Sequence, residues 1–517
     1  MDNKSLNVLK GLTLDIIQNA KGGHPGSCLS GAPILYTLFT KHLKVNPSMP
    51  EWVNRDRFVM SAGHASALLY AMMFLSGYKF NIEDLKNYRK LNSNTPGHPE
   101  ISTLGVEVTT GALGEGFATS VGLALAEKIY ENKFNRKPKN FFDKKTVPLV
   151  DYYTYVYVSD GDLMEGISYE AASFAGNMNL GKLIVLYDSN KFTMDKSTSE
   201  TFSEDVLSRF SSMGWHTQYV KNGNSIKDIS KAIEKAKSNK INPSIIKIDT
   251  IIGSGSKYQG TNKIHSGELE KEDFEQIRLK LGIDGMPFTI LKEPAENIRN
   301  QVVNRGLAEF EKYEKIYADY KTTMSSDQVT EYENISFNRA FVELDKVQID
   351  VNYENKELLR DSNQKVMNVI SNILPTFIGG SADTVTSTKT YLNGAGDLNA
   401  KNYLGKNIAF GVRENLMGAV LNGLALSGFR PFGSTFLAFS DYMKPSIRMT
   451  ALMNLPVTYI FTHDSITVAA DGPTHEPVEQ LASLRSIPNL YVYRPADIKE
   501  IIGTYNTILN DKKPSVI

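Results

Sequence analysis

The sequence predicts an α/β protein of two tandem domains, each a parallel sheet flanked by helices, and three observations predict it. The chain's 517 residues exceed what one hydrophobic core serves, so two or three domains are expected. Short β-rich runs alternate with longer helical patterns from about residue 60 onward, as parallel α/β sheets require. These runs fall into two sets, separated by a charged, helix-prone stretch over 265 to 335.

The first twenty residues, MDNKSLNVLKGLTLDIIQNA, place apolar positions at helical spacing among charges and lack a signal peptide's apolar core. No later segment reaches 18 uninterrupted apolar residues, so no membrane partner is expected. TYVYV (154–158), KLIVLY (182–187) and SIIKIDTII (244–252) read as buried strands, because nearly every residue is apolar or β-branched. The second set is FIGG near 377, NIAFG near 407, VTYIFTHD (457–464) and LYVYRP (490–495). We therefore expect a first domain over 1–320, a linker over 321–340 and a second domain over 341–517. NPSIIKIDT (242–250) and KPSVI (513–517) each follow a helical pattern, an echo that predicts a second domain truncated at its C-terminal end.

Lys plus Arg number 57, equal to Asp plus Glu, with no long run of one sign, which argues against nucleic acid or an anionic membrane as partner. A small molecule or a second copy is expected instead. The sole cysteine, Cys28, excludes an internal disulfide, a cysteine zinc cage and a CxxC pair, and fits a reducing cytoplasm.

Chemistry gathers at strand ends. TYVYV runs into Ser159, Asp160, Gly161 and Asp162, and KLIVLY into Asp188, Ser189 and Asn190, where open α/β sheets bind ligands. Asp160 and Asn190 offer hard oxygens that, with diphosphate oxygens and the Phe192 carbonyl, complete an octahedral Mg²⁺ shell. Gly161 lets backbone approach a phosphate. Either pair alone reads as a turn or a cap. Together, 30 residues apart with Glu165 close behind, they match the thiamine diphosphate signature of a GDG-like triplet and a later Asn, with Ser159 replacing the first glycine. The DxDxDG spacing of an EF-hand is absent. GALGEG (111–116) is not GxGxxG, and reads as a glycine loop opening a helix whose first turn faces an anion.

Six of the eight histidines (His24, His64, His98, His265, His463 and His475) sit in loop strings, mostly beside Gly or Pro. One such residue is usually a surface histidine, whereas six suit proton transfer to sugar hydroxyls and oxyanions in a cleft. No HExxH pair points to zinc. Glu414 opens a helix in NIAFGVRENLMGAVLNGLALSG, either as a dipole partner or as the buried acid that thiamine chemistry needs at the aminopyrimidine. Phe436, Phe439 and Tyr442 recur every three residues, predicting one aromatic helical face, either core or a grip on a flat ring.

Over essentially all its length the chain resembles the transketolase family, through KGGHPGS, NRDRFVMSAGHASALLY, TPGHPE, GVEVTTGALGEG, DGDLMEGISYEA, YDSNK, IGGSAD, GVREN, STFLAFSDY and THDSITVAADGPTHEP. The resemblance implies two tandem thiamine diphosphate-binding domains, the first taking the diphosphate and the second the pyrimidine across a homodimer interface. It implies that Asp160, Asn190 and the Phe192 carbonyl hold Mg²⁺ or Ca²⁺, with Gly114, Gly116 and Gly161 at the diphosphate. Glu414 then contacts the pyrimidine, ringed by Phe436, Phe439 and Tyr442, while Asp383 supports the thiazolium. Glu165 and Glu170 join a carboxylate network between subunits. His64, His98, His265 and His475 match catalytic positions lining the channel, with His64 and His265 also touching cofactor. His24, His265, His463, Asp471 and His475 match contacts to the sugar, and Arg360 and Ser387 the phosphate site.

The implied enzyme is a transferase of aldehyde or ketone residues. It moves a two-carbon ketol unit from a ketose phosphate such as xylulose 5-phosphate to ribose 5-phosphate or erythrose 4-phosphate, in the pentose phosphate pathway. The sequence departs from the family at KIHSGE, at Ala469 and Ala470, and in ending at Ile517 before another phosphate-binding arginine and a C-terminal domain. Dihydroxyacetone synthase and deoxyxylulose phosphate synthase are rival readings that TPGHPE and DGPTHEP disfavour. A non-catalytic relative is disfavoured by the presence of Glu414, Asp160 and Asn190.

Overall fold

The computed structural model describes residues 1–136, 148–336, 357–468 and 470–517. Ala469, part of the expected linker and the first residues of the expected second domain lie outside them. The chain forms two compact units, one of Met1–Ser120 with Asp151–Tyr317, the other of Val121–Val150 with Ala318–Ile517.

The first unit carries a five-stranded, wholly parallel sheet: β1 (Arg57–Met60), β2 (Thr154–Ser159), β3 (Leu183–Ser189), β4 (His216–Val220) and β5 (Ser244–Asp249), in the order β1-β2-β3-β5-β4. Every residue of β2 and β3 is buried, the outcome that unbroken apolar runs dictate when helices cover both faces. Helices α1 (Asp2–Asn19) and α2 (Pro25–Thr37) bring Leu9, Ile16, Ile34 and Leu35 into one core with Phe58, Tyr155 and Ile184. The approach of α2 to β2 is so close that a Cβ on Gly31 would sit 2.4 Å from the Tyr157 hydroxyl.

The second unit holds a seven-stranded parallel sheet: β6 (Phe377–Ser381), β7 (Asp397–Leu398), β8 (Asn407–Ala409), β9 (Arg430–Phe436), β10 (Thr458–Thr462), β11 (Tyr491–Val492) and β12 (Ser515–Val516), ordered β11-β12-β10-β9-β6-β8-β7. Helices α3 (Leu359–Ile373) and α6 (Ile498–Asp511) turn Val366, Ile370, Ile501 and Tyr505 onto Phe377, Phe432 and Ile460. Between them in the chain, α4 (Glu414–Leu426) follows β8 and α5 (Ser440–Leu452) follows β9.

Two parallel sheets flanked by helices are what the sequence predicts, with local differences. SIIKIDTII stops being strand at Asp249, since Ile252 turns into a separate cluster with Leu14, Leu29 and Ile264. β1 and β4 carry no long apolar run: β1 has four residues, and β4 is a half-exposed edge. Residues 265 to 335 form helices and no strand. β12 lies between β10 and β11 as β5 lies between β3 and β4, so the echoing strings occupy equivalent sheet positions.

Candidate functional site

In the first unit the site is built where β2 and β3 end. Ser159 is in register with Asp188, so the two following loops emerge side by side. Asp160 accepts a bond from Lys191 N at 2.9 Å at one carboxylate oxygen and the Tyr187 hydroxyl at the other. The 160 and 190 loops are thus joined directly. Lys191 takes a left-handed backbone (φ 72°), which folds its loop back over Asp160. Burial pushes the Asp160 carboxyl up to about 6, against the lowering bonds from Tyr187 and Lys191.

Asn190 is buried; its Oδ1 accepts from Phe192 N at 3.1 Å and its Nδ2 donates to Asp188 Oδ2 at 3.2 Å. Asp162 ties a third segment to this corner. Its Oδ1 accepts from Ser61 Oγ at 2.6 Å and Gly114 N at 3.0 Å, and its Oδ2 from Ser159 N at 3.0 Å. Gly114 is left-handed (φ 80°), and a Cβ there would meet Ile167 at 2.7 Å. Gly116 passes against Ser61 and Gly161 against Leu113, so the glycine loop and the β2 tip pack together. Glu165 is exposed and Glu170 half-buried on the helix Gly166–Asn177, and burial with Asp162 nearby raises the Glu165 carboxyl.

Among the described residues no three His, Cys, Asp or Glu side chains are arranged to hold a metal. Asp160 and Asn190 bring a carboxylate and an amide oxygen to one corner, a donor set of the kind that hard divalent cations take. Each Asp160 oxygen takes one hydrogen bond and keeps acceptor capacity.

Four of the predicted histidines cluster in this unit. The His24 ring lies 5.0 Å from His64, 5.7 Å from His265 and 6.4 Å from His98, and His64 lies 5.7 Å from His265. Burial lowers all four, with His24 at about 4, and the neighbouring rings and Arg89 add to the depression of His24. They are neutral imidazoles at neutral pH. His24 Nδ1 and His265 Nδ1 are buried with no hydrogen-bond partner among the described residues.

In the second unit the parallel strands bring their carboxyl ends to one edge. Glu414, the first residue of α4, is half-buried, and that burial raises its carboxyl. The aromatic row does not form one helical face: Phe436 ends β9, Phe439 lies in a 3₁₀ turn and Tyr442 belongs to α5, because the strand runs on into Phe436. The rings still line up, with centroids 5.9 Å apart for Phe436–Phe439 and 6.1 Å for Phe439–Tyr442, and Tyr442 is 65% exposed. His463 packs on Phe436 with ring centroids 3.8 Å apart and planes tilted by 34°, and His475 meets Phe439 edge-on at 5.1 Å.

Burial lowers His463, as do Arg360 and His475, while Asp471 opposes them, so these three groups lie around it. Arg360 and His463 line one pocket of about 410 Å³ with Asp464 and Arg494. Asp383 (φ 65°) and Ser387 are exposed beyond β6, and no bond among the described residues joins them to the His463 group. Sequence reasoning missed Asp162 and Asp188 as the carboxylates that organise the strand tips. Their signal was present: an acid at the end of an otherwise apolar run has to be paired when buried.

Two family models match the chain, "Transketolase, thiamine diphosphate binding domain" over residues 1–337 and "Transketolase, pyrimidine binding domain" over 358–517. Among curated relatives, the probable transketolase of Streptococcus pneumoniae is 45% identical, covering 100% of this chain and 78% of its own length. The Bacillus subtilis transketolase is 46% identical, over 98% of this chain and 75% of its own. Among solved structures, a Pichia stipitis transketolase in complex with sedoheptulose 7-phosphate matches with a TM-score of 0.95 at 38% identity, over 100% of this chain and 76% of that one. Transketolase from Leishmania mexicana matches with a TM-score of 0.94 at 39% identity, with the same coverage.

Proposed function

The chain belongs to the transketolase family, and from that footing we propose how its residues carry out ketol transfer. The reaction is the reversible transfer of a two-carbon ketol group from a ketose phosphate, xylulose 5-phosphate, to an aldose phosphate, ribose 5-phosphate or erythrose 4-phosphate. The cofactor is thiamine diphosphate, which when bound supplies the carbon nucleophile and the electron sink. Residues 1–320 serve the diphosphate and 341–517 the pyrimidine, with 321–340 between them.

Asp160, Asn190 and the Phe192 carbonyl hold Mg²⁺ (or Ca²⁺) on the diphosphate, and Gly114, Gly116 and Gly161 leave room for it. The single observation that carries this reading is the hydrogen bond from Lys191 N to Asp160, which brings both ligand-bearing loops to one point. Glu414, its carboxyl raised by burial, exchanges a proton with the aminopyrimidine nitrogen. Phe436, Phe439 and Tyr442 grip the flat ring, and Asp383 supports the thiazolium side. His64, His98 and His265, with His475, accept and return protons at sugar hydroxyls and the carbonyl oxygen, and His24 contacts the sugar. His463 and Asp471 contact the sugar, and Arg360 and Ser387 the phosphate.

The protein works in the cytoplasm as a homodimer with active sites at the subunit interface, where Glu165 and Glu170 belong to the carboxylate network. No described helix is long and apolar enough to cross a membrane. A coupled assay with xylulose 5-phosphate and ribose 5-phosphate tests the reading. Turnover is expected only with thiamine diphosphate and a divalent cation together, and equal turnover without them overturns it.

A further inference from the structure

We propose that Asp188 is a positioning residue that sets which way the Asn190 amide faces, and through it the readiness of the Asp160–Asn190 corner for a divalent cation. The inference rests on the cofactor site proposed above.

Asp188, the last residue but one of β3, has no exposed surface. Its Oδ2 accepts from Ser30 Oγ at 2.7 Å, the Tyr157 hydroxyl at 2.6 Å and Asn190 Nδ2 at 3.2 Å, and its Oδ1 accepts from Thr250 Oγ1. These donors come from α2, β2, the 190 loop and the residue after β5, so the carboxylate is fixed from four directions. The Asp188 oxygen that faces Asn190 is an acceptor, as the Ser30 and Tyr157 hydroxyls bound to it show. The amide beside it must therefore turn its NH₂ inward, which leaves Asn190 Oδ1 on the far side, where Phe192 N reaches it. An amide oxygen is what a hard cation takes, and an NH₂ in its place repels one. Reversing the amide would set its oxygen against the buried carboxylate, so Asp188 selects one of two shapes that are otherwise nearly identical.

Asp188→Asn keeps the volume but offers Asn190 either an oxygen or an NH₂. Calorimetric titration of thiamine diphosphate into the full chain, across a series of Mg²⁺ concentrations, reads the effect without turnover. Outer-shell partners of metal ligands are typically worth about 10–100-fold in affinity, so apparent Mg²⁺ affinity is expected to fall by about tenfold or more. In the Asn190→Ala background the same substitution is expected to change nothing further, since the group it acts through is gone. Thr250→Val, which removes one donor holding Asp188, provides a milder arm that should shift affinity in the same direction and lose that effect in Asn190→Ala. Parent-like Mg²⁺ affinity in both Asp188→Asn and Thr250→Val overturns the inference, as does an equal loss in the two Asn190 backgrounds. Failure of the parent chain itself to bind thiamine diphosphate with Mg²⁺ would instead overturn the proposed function.

Discussion

Glu414 is a half-buried acid whose environment favours its protonated form, at the point where an open sheet offers its ligands. Glu414→Gln keeps the size and a hydrogen-bonding amide but cannot pass a proton. General acid–base groups contribute about 10²–10⁴-fold, so kcat for ketol transfer is expected to fall by at least the lower figure; substantial turnover in the variant would contradict the role. A second residue-scale consequence concerns His24 and His42, whose folded-state values are each depressed from 6.5 to about 4, chiefly by burial. The unfolded chain takes up protons below 6.5 that the folded chain refuses. Their stabilising contribution is therefore complete above 6.5 and is lost as pH falls toward 4. Thermal unfolding followed from pH 7 to 5 should show Tm falling, and His42→Gln, which can keep the bond to Ser230, should flatten that fall.

At the scale of elements, the contact of α2 with β2 depends on a missing side chain. A Cβ at Gly31 would collide with Tyr157, whose hydroxyl is one of the donors to Asp188. Gly31→Val is expected to destabilise by about 1–3 kcal/mol in chemical denaturation, the usual cost of overpacking a filled core. How legible an element was follows from its burial. β2 and β3 are buried on both faces, so hydrophobicity alone marked them, whereas β4 exposes Tyr219 at a sheet edge and shows no apolar run. β1 needs only four residues because Arg57–Met60 leans on β2 throughout. The aromatic row was visible as a spacing, but the spacing could not say that a strand end, a turn and a helix share it. Asp160 and Asn190 were legible as oxygen-bearing strand tips, while the Lys191 bond that joins them depends on a left-handed backbone that no residue type announces.

At the scale of the molecule, the proposed clamp and the proposed acid belong to different compact units of the chain, Asp160 to the first and Glu414 to the second. The homodimer reading assigns each active site one chain's Asp160 and the other chain's Glu414, and this separates it from a site completed within one chain. Two variants make the distinction measurable. Asp160→Ala and Glu414→Ala are each expected to be inactive alone, because every site lacks one essential group. Unfolded together in equal amounts and refolded, half the dimers should be mixed, and each mixed dimer joins an intact Asp160 to an intact Glu414 at one of its two sites. About a quarter of parental activity should therefore return, by the combinatorics of a two-fold dimer. If each site were completed within a single chain, mixing would restore nothing, since every chain would carry one lesion in its own site. The recovered activity should also fall on dilution if dimer dissociation is reached, because exchange back to monomers dismantles the only working sites.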